Sequence, residues 1–168
     1  AAEGSDYILN GTKVLVLDAS AAQTFIVIAR TGGEPPDERG LSAFLVDAAT
    51  PGLTLERRSL VDSRNAGALV LEDCRVSATN LLGAPGEAWG GLSRALDIAN
   101  IGLAAELLGL ATEVFERTVA YLKERKQFGR VIGSFQGLQH RAAELFAELE
   151  LARSIVLQAL HTIDCGEA

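Results

Sequence analysis

The spacing of apolar residues changes near residue 80, and this change constrains the fold more than any other feature of the sequence. Before residue 80, short runs of apolar and β-branched residues alternate with turn residues, which is typical of antiparallel strands. After it, apolar residues recur every three or four positions over two long stretches, which is typical of helices. The sequence therefore predicts an α+β fold, with an antiparallel, barrel-like β-sheet over residues 1–82 and two long antiparallel helices of an α-helical bundle over residues 83–168.

Turn residues divide the first part into strands. Asn10-Gly11 separates two apolar runs and predicts a hairpin, since both residues tolerate a positive φ. Residues 31–40 have Gly-rich ends and contain Pro35-Pro36, which predicts an exposed loop. About six strands are expected, over residues 7–9, 12–17, 24–30, 41–47, 53–58 and 66–76.

Two helices are expected in the second part, from about residue 87 or 89 to about 124 and from Ser134, as N-cap, to about Asp164, where Gly166 closes the helix. The second helix carries a heptad seam, in which apolar residues alternate at spacings of four and three. Its members are Leu138, Ala142, Leu145, Leu149, Ala152, Val156, Ala159 and Ile163. Two helices cannot bury this much apolar surface on each other alone, so we expect more helices or other subunits to cover them.

The charge and the cysteines exclude several functions. The formal net charge is −7, from 15 Lys and Arg against 22 Asp and Glu, which argues against a nucleic-acid partner. No apolar run is expected to cross a membrane, and no signal-peptide layout is present. Cys74 and Cys165 lie far apart and predict free thiols in the cytoplasm rather than a disulfide. The absence of Met indicates a chain that was processed, excised or truncated.

Candidates for a self-contained active site are few. His140 and Glu144 lie four residues apart and offer two metal ligands, but a third is absent at suitable spacing, so a surface His beside a Glu is favoured. Cys74 is either a reactive thiol beside Arg75 or a buried structural cysteine, and we favour the second. We therefore expect neither a metal site nor a catalytic residue in this chain.

Residues 121–139, YLKERKQFGRVIGSFQGLQ, carry the clearest functional pattern. They combine the cationic end of one helix, a short loop and the start of the next helix. Arg125 offers a guanidinium fork for a diphosphate, Phe128 offers an aromatic face, and the N-terminus of the second helix adds N–H donors. Alternatively, Lys123, Arg125 and Lys126 only complement the C-terminus of the first helix.

This segment resembles the connection between the long helices of the acyl-CoA dehydrogenase family, R-x-x-F-G followed by Q-x-x-Q. The matching residues are Arg125, Phe128-Gly129, Gln136 and Gln139. Upstream, YILNGTKVLV and GLSAFLVDAATPGLTLE resemble the family's middle β-domain. The stretch from LVLEDC to LLGLA resembles the strand, connector and first long helix that follow. The resemblance covers nearly all of the chain and is that of an internal fragment.

The resemblance implies an FAD site shared between subunits of a homo-oligomer, a dimer or a tetramer. The residues that match the family's FAD contacts are Arg125, Gln127, Phe128 and Gln136, with Ile132 and Phe135 lining the same site. Asp97 matches a residue near the CoA portion of an acyl-CoA substrate. The implied reaction is α,β-dehydrogenation of the thioester, in which a Glu base takes the α-proton and hydride leaves the β-carbon for flavin N5.

The sequence departs from the family at several positions of the implied active site. Where the family has a Trp-Ile-Thr stretch against the flavin, this chain has Leu15-Val16-Leu17. Where the family has an Arg three residues after the Asp that Asp97 matches, this chain has Asn100. Some members carry the Glu base on the first long helix, where this chain has Ala99; most carry it beyond residue 168. We therefore expect the chain alone to be inactive.

Two alternatives stay open beside a piece of an acyl-CoA dehydrogenase. One is a non-catalytic subunit of a heteromeric acyl-CoA dehydrogenase, which shares a partner's FAD and supplies no base. The other is a related flavin oxidase or monooxygenase of the same fold.

Overall fold

The computed structural model describes residues 2–3 and 6–166, which fall into two compact units, Ala1–Leu92 and Ser93–Ala168. The strands are β1 (Ala2–Glu3), β2 (Asp6–Leu17), β3 (Thr24–Arg30), β4 (Leu41–Asp47), β5 (Leu53–Ser59), β6 (Asn65–Ser77), β7 (Leu81–Leu82), β8 (Lys126–Gln127) and β9 (Arg130–Val131). The helices are α1 (Trp89–Glu124) and α2 (Gln136–Asp164). The α+β class, with antiparallel strands before two long helices, is confirmed.

The first unit contains two antiparallel sheets. One has the strand order β1-β2-β6-β5 and the other β3-β4-β7. In the part of the chain that the structure describes, the two sheets do not join into a closed barrel. Inward-facing side chains of the longer strands of both sheets meet in one core. Its largest fully buried side chains include Phe44, Val46, Leu69 and Cys74.

The five longer strands follow the sequence pattern closely, except at Asn10-Gly11, whereas the two-residue strands β1, β7, β8 and β9 were not predicted. The predicted hairpin there is wrong, because β2 runs through both residues and pairs with β6 on either side of a register shift between Leu9 and Gly11. Asn10 uses its side chain across the strands instead. Its Nδ2 donates to Asp73 Oδ1 over 3.1 Å, and its Oδ1 accepts from the Asp73 N–H over 2.7 Å. The turn-forming amide therefore stabilises a β-bulge rather than a hairpin.

The second unit pairs α1 with α2 in antiparallel order. The Phe115 and Phe146 rings lie 6.1 Å apart, and Arg153 Nη2 donates to Thr112 Oγ1 over 3.4 Å. An apolar groove of about 540 Å³ is lined by both helices. No residue of either helix is fully buried in the described structure. The heptad seam therefore lies at a surface that two helices leave uncovered.

Helix α2 begins differently from the sequence prediction. Ser134 is not its N-cap; it ends a 3-10 turn over Ile132–Ser134, and its Oγ donates to the Val131 carbonyl over 2.7 Å. The N-cap position is occupied by Phe135, whose side chain makes no capping hydrogen bond. Because the serine hydroxyl is used inside the turn, the N-cap and the start of the helix lie one residue later than predicted. Gly166 follows the helix at a φ of 71°, as expected for a closing glycine.

Helix α1 is long and apolar enough to cross a membrane by length and composition, with a mean hydropathy of 1.5 over its most apolar window. No such run was expected from the sequence, because Asn100 and Glu106 interrupt the apolar residues. The many Ala, Leu, Ile and Gly residues of α1 nevertheless keep its mean hydropathy high. The same composition suits the core helix of a helical bundle, so this property alone is weak evidence for a membrane.

Replacing Phe44 by Ala is expected to destabilise the first unit by about 3–5 kcal/mol, because its ring is fully buried and lies 4.9 Å from the Tyr7 ring. Leu45→Ala is the matched control, since Leu45 is the next residue of β4 and is 36% exposed. It should cost about 1 kcal/mol or less. Hydrogen exchange of the β3 and β4 amides measures both changes. Equal losses of protection would contradict this assignment of the core.

Candidate functional site

A tight hairpin joins the two long helices. Strands β8 and β9 pair through Lys126–Val131 and Gln127–Arg130, and Phe128-Gly129 forms the turn. Both turn residues have a positive φ, 54° for Phe128 and 76° for Gly129, which is the backbone of a type I′ turn. Glycine adopts this region freely, whereas phenylalanine is strained there. The hairpin therefore carries an aromatic residue at its tip at a conformational cost.

The hairpin is fixed to the end of α1 by backbone contacts. The Ile132 N–H donates to the Arg125 carbonyl over 2.8 Å, and the Phe135 N–H donates to the Ile132 carbonyl over 3.0 Å. Gly133 lies so close to α1 that a Cβ there would approach the Leu122 carbonyl oxygen to 2.7 Å. Glycine is therefore required at this position. Gln139 Nε2 also donates to the Gly133 carbonyl over 2.9 Å, from the first turn of α2.

Two phenylalanine rings and one guanidinium lie together beside the hairpin. The Phe128 ring is 89% exposed and lies 6.1 Å from the Phe135 ring, at an interplanar angle of 85°. The Arg130 guanidinium carbon lies 4.1 Å from the centre of the Phe135 ring. We call these three side chains the ring corner. No individual role is predicted for Arg130 from the sequence, because its contact with Phe135 depends on the turn at residues 132–134.

The cations at the helix connection have no carboxylate partner among the described residues. Lys123, Arg125, Lys126 and Arg130 are all exposed, and none lies within ion-pair distance of an Asp or Glu in that part of the chain. Arginines elsewhere on the helices do form such pairs. They are Arg117 with Glu113, Arg141 with Glu144 at 3.5 Å and Arg153 with Glu150 at 3.0 Å. The connection thus presents uncompensated positive charge, which suits an anionic ligand.

The structure brings six of the predicted site residues into one short region. Arg125 follows the last residue of α1, Gln127 lies in β8, Phe128 forms the turn, and Ile132 lies in the 3-10 turn. Phe135 and Gln136 stand at the start of α2. Asp97 is separate. It lies 28 residues before Arg125 on α1, which is about 40 Å along the helix, so one copy of the chain does not place Asp97 and the connection in a single pocket.

The departures at Leu15, Ala99 and Asn100 lie at exposed positions. Leu15 has a positive φ of 54° beside a register shift of β2, and it is exposed together with Val14 and Leu17. Ala99 and Asn100 are exposed on α1 and offer no carboxylate. On β2, the exposed residues therefore present an aliphatic surface. On α1, positions 99 and 100 provide no candidate general base.

Other candidates have structural explanations. Cys74 is fully buried in β6, and burial raises the pKa of its thiol, while Arg75 forms an ion pair with Asp6 at 3.4 Å. Glu144 lies beside Arg141 rather than with a set of metal ligands, and the described residues contain no cluster of three side chains able to hold a metal. Cys165 is an exposed free thiol 3.5 Å from His161 Nε2.

Comparison with known proteins finds two related family models. The acyl-CoA dehydrogenase middle domain matches residues 1–74, and the acyl-CoA dehydrogenase C-terminal domain matches residues 86–168. The chain is 40% identical over 159 residues to a probable acyl-CoA dehydrogenase of Bacillus subtilis, covering 93% of this chain and 42% of that protein. The chain thus spans about two fifths of the curated relatives it matches.

Solved structures match the fold over nearly the whole chain. An acyl-CoA dehydrogenase from Geobacillus kaustophilus superposes with a TM-score of 0.87 at 30% identity, covering 98% of this chain and 44% of that one. The prolyl acyl carrier protein oxidase AnaB superposes with a TM-score of 0.83 at 30% identity, covering 94% and 42%. The match includes α1, which places it as a core helix of this fold.

Cys165 is expected to react with a thiol reagent near pH 8 much faster than Cys74. Cys165 is exposed, whereas burial raises the pKa of Cys74 and lowers its thiolate fraction. Cys165→Ser should remove the fast phase, and Cys74→Ser should leave it intact, as followed by absorbance of the released thiolate. Fast reaction of Cys74 in the folded protein would contradict a structural role.

Proposed function

We propose, because the chain belongs to the acyl-CoA dehydrogenase family, that it is part of an FAD-dependent oxidoreductase acting on an acyl-CoA thioester. The connection between α1 and α2 would hold part of the FAD. The observation that carries this proposal is the exposed Phe128 ring, on a backbone with a positive φ, in a connection whose four cations have no carboxylate partner among the described residues.

The residues of the connection fit the chemistry of FAD. A dinucleotide carries a diphosphate and two planar ring systems, so it needs cations and flat apolar faces. Arg125 supplies a fork of N–H donors suited to phosphate oxygens, and Phe128 supplies a face for a ring. Gln127 and Gln136 are exposed amides that can both donate and accept hydrogen bonds. Ile132 and Phe135 are half-buried and would line the apolar side.

Backbone strain supports a binding role at two places. Within the described chain, five residues other than glycine have a positive φ, and two of them, Leu15 and Phe128, are apolar and exposed. Such residues lower the stability of the fold in two ways, because the positive φ strains the backbone and the apolar side chain is exposed to water. The resemblance implies that both positions match FAD contacts of the family. A ligand that covers them would offset the second of these costs.

The proposed site is completed by another copy of the chain. Asp97, the proposed contact for the CoA portion, and Arg125 lie about 40 Å apart along α1. The uncovered faces of α1 and α2 also require further protein. We therefore infer a homo-oligomer, a dimer or a tetramer, in which one copy lends the connection to the FAD of another. A cytoplasmic location agrees with the two free thiols.

The chain's own residues would bind and orient rather than transfer protons. FAD, when bound, supplies the acceptor for the hydride that leaves the substrate β-carbon. The α-proton needs a carboxylate base, and Ala99 offers none at the position where some family members carry it. We place that base outside the 168 residues, as a Glu. Val14, Leu15 and Leu17 would contribute an apolar wall that helps to exclude water.

Two specific observations favour other functions. The missing base and the loss of polar groups at Leu17 and Ala99 favour a non-catalytic subunit that shares a partner's FAD. The match to the prolyl acyl carrier protein oxidase favours a flavin oxidase or monooxygenase of the same fold. The residue at the base position of the full-length protein distinguishes the non-catalytic subunit from an enzyme, because Gly or Ala there would leave the subunit without a base. Oxygen consumption with a bound acyl substrate separates the second.

FAD is expected to bind weakly to the 168-residue chain, because a single copy holds only part of the site. Arg125→Met should abolish this binding through loss of the guanidinium, whereas Arg117→Met should leave it unchanged, since Arg117 pairs with Glu113 on α1. NMR saturation transfer to the adenine and isoalloxazine protons measures both. Equal binding by the Arg125 and Arg117 variants would remove the connection from the proposal, and tight stoichiometric binding would contradict a shared site.

The chain alone, supplied with FAD, an acyl-CoA and an electron-accepting dye, is expected to show no turnover. The physical reason is that no carboxylate stands at position 99 to accept the α-proton. Dye reduction measures the reaction, and a full-length family member is the positive control. Turnover by the isolated chain would show that it contains a base that we have not identified.

A further inference from the structure

We propose that Arg130 is a positioning residue of the FAD site, which acts through Phe135 to hold the Phe128 ring in its binding orientation. The inference deepens the proposed function and rests on it for the FAD part. Its structural part, the coupling of Arg130 to the Phe128 ring, stands on the geometry of the ring corner alone.

The first step is that Phe128 needs a neighbour to fix its side chain. Its ring is 89% exposed, so it gains little packing from the unit around it. Its backbone is already in the left-handed region at a φ of 54°. The ring contact that the structure gives it is the perpendicular one with Phe135, at 6.1 Å. Edge-to-face arrangements of this kind are favourable for aromatic pairs.

The second step is that Phe135 is itself held by Arg130. The guanidinium carbon lies 4.1 Å from the ring centre, within the range of a cation–π contact. Arg130 stands opposite Gln127 in the β8–β9 pair, so the hairpin fixes where its side chain begins. Phe135 is fixed through its N–H bond to Ile132 and its place before α2. The contact thus ties the tip of the hairpin to the start of α2.

The third step is that the Arg130 guanidinium forms no ion pair with the described residues. No carboxylate in the described residues lies within ion-pair distance of it, in contrast to Arg141 with Glu144. The Arg130 guanidinium carbon lies over the Phe135 ring instead, 4.1 Å from its centre. Lys at this position would keep the charge but lose the planar group that stacks on an aromatic face. The role therefore depends on the guanidinium and not on charge alone.

The structural part is tested without FAD on the 168-residue chain. Ring order at Phe128 is measured by NMR relaxation on ¹³C-labelled phenylalanine, with Phe128→Leu to assign the signal. Arg130→Met is expected to lower the ring order, Arg130→Lys to keep part of it, and the control Arg141→Met to leave it unchanged. Unchanged ring order in Arg130→Met would overturn the inference, whether or not the chain binds FAD.

The FAD part is tested by a double-mutant cycle on the dissociation constant. Arg130→Met is expected to weaken FAD binding about two- to fivefold, the size expected for one exposed cation–π contact. Because Arg130 acts through Phe135, Arg130→Met should have no further effect when Phe135 is Leu. A loss as large in that background would mean that Arg130 contacts the ligand directly, and it would overturn the positioning role.

The outcomes separate the two proposals. If the unchanged chain shows no FAD binding by saturation transfer while the ring order falls in Arg130→Met, the proposed FAD site fails and the coupling within the ring corner stands. If FAD binds and depends on Arg125 but not on Arg130, the proposed function stands and the positioning role fails.

Discussion

The uncovered faces of α1 and α2 are the constraint on which the rest of the structure depends. Helices of 36 and 29 residues contain no fully buried side chain, although both are rich in Leu, Ile and Val. Exposed apolar surface of this extent costs free energy in water, and packing against further helices removes it. The second unit is therefore half of a bundle in physical terms. Its apolar faces need further protein to cover them, which the proposed oligomer would supply.

The helix connection is rigid for reasons that lie in its backbone. The type I′ turn, the Ile132 to Arg125 hydrogen bond and the close approach of Gly133 to Leu122 fix the hairpin against the end of α1. A site built on such a segment can hold charged and aromatic groups in a defined geometry without help from the rest of the bundle. The proposed FAD site, in which the connection serves a neighbouring subunit, depends on this geometry.

Much of the fold followed from local patterns, whereas the contacts between distant residues did not. Strands β3 and β4 and the ends of α1 were predicted because periodicity and turn residues act over a few positions. Asn10-Gly11 misled the prediction, because the hydrogen bonds that decide its conformation come from Asp73. Ser134 misled it likewise, since its hydroxyl serves the preceding turn. The contact between Arg130 and Phe135 also depends on the turn at residues 132–134, so the spacing of the two residues in the sequence does not indicate it.

The ring corner shows how a costly arrangement can be retained. Phe128 combines a positive φ with an exposed ring, and neither property improves the folding of the unit. Strain of this kind persists where the surrounding structure imposes it. Here Gly129 in the turn and the pairing of β8 with β9 hold the Phe128 backbone in its strained conformation. Four cations lie in the same connection, and none of them forms an ion pair with a carboxylate of the described residues, although Glu124 lies between Lys123 and Arg125 in the sequence. An anionic ligand with a planar ring would both neutralise the cations and cover the exposed Phe128 ring. Under the proposed FAD site, folding stability and binding oppose each other at this connection, because the residues that suit the ligand add backbone strain and exposed apolar surface to the folded chain.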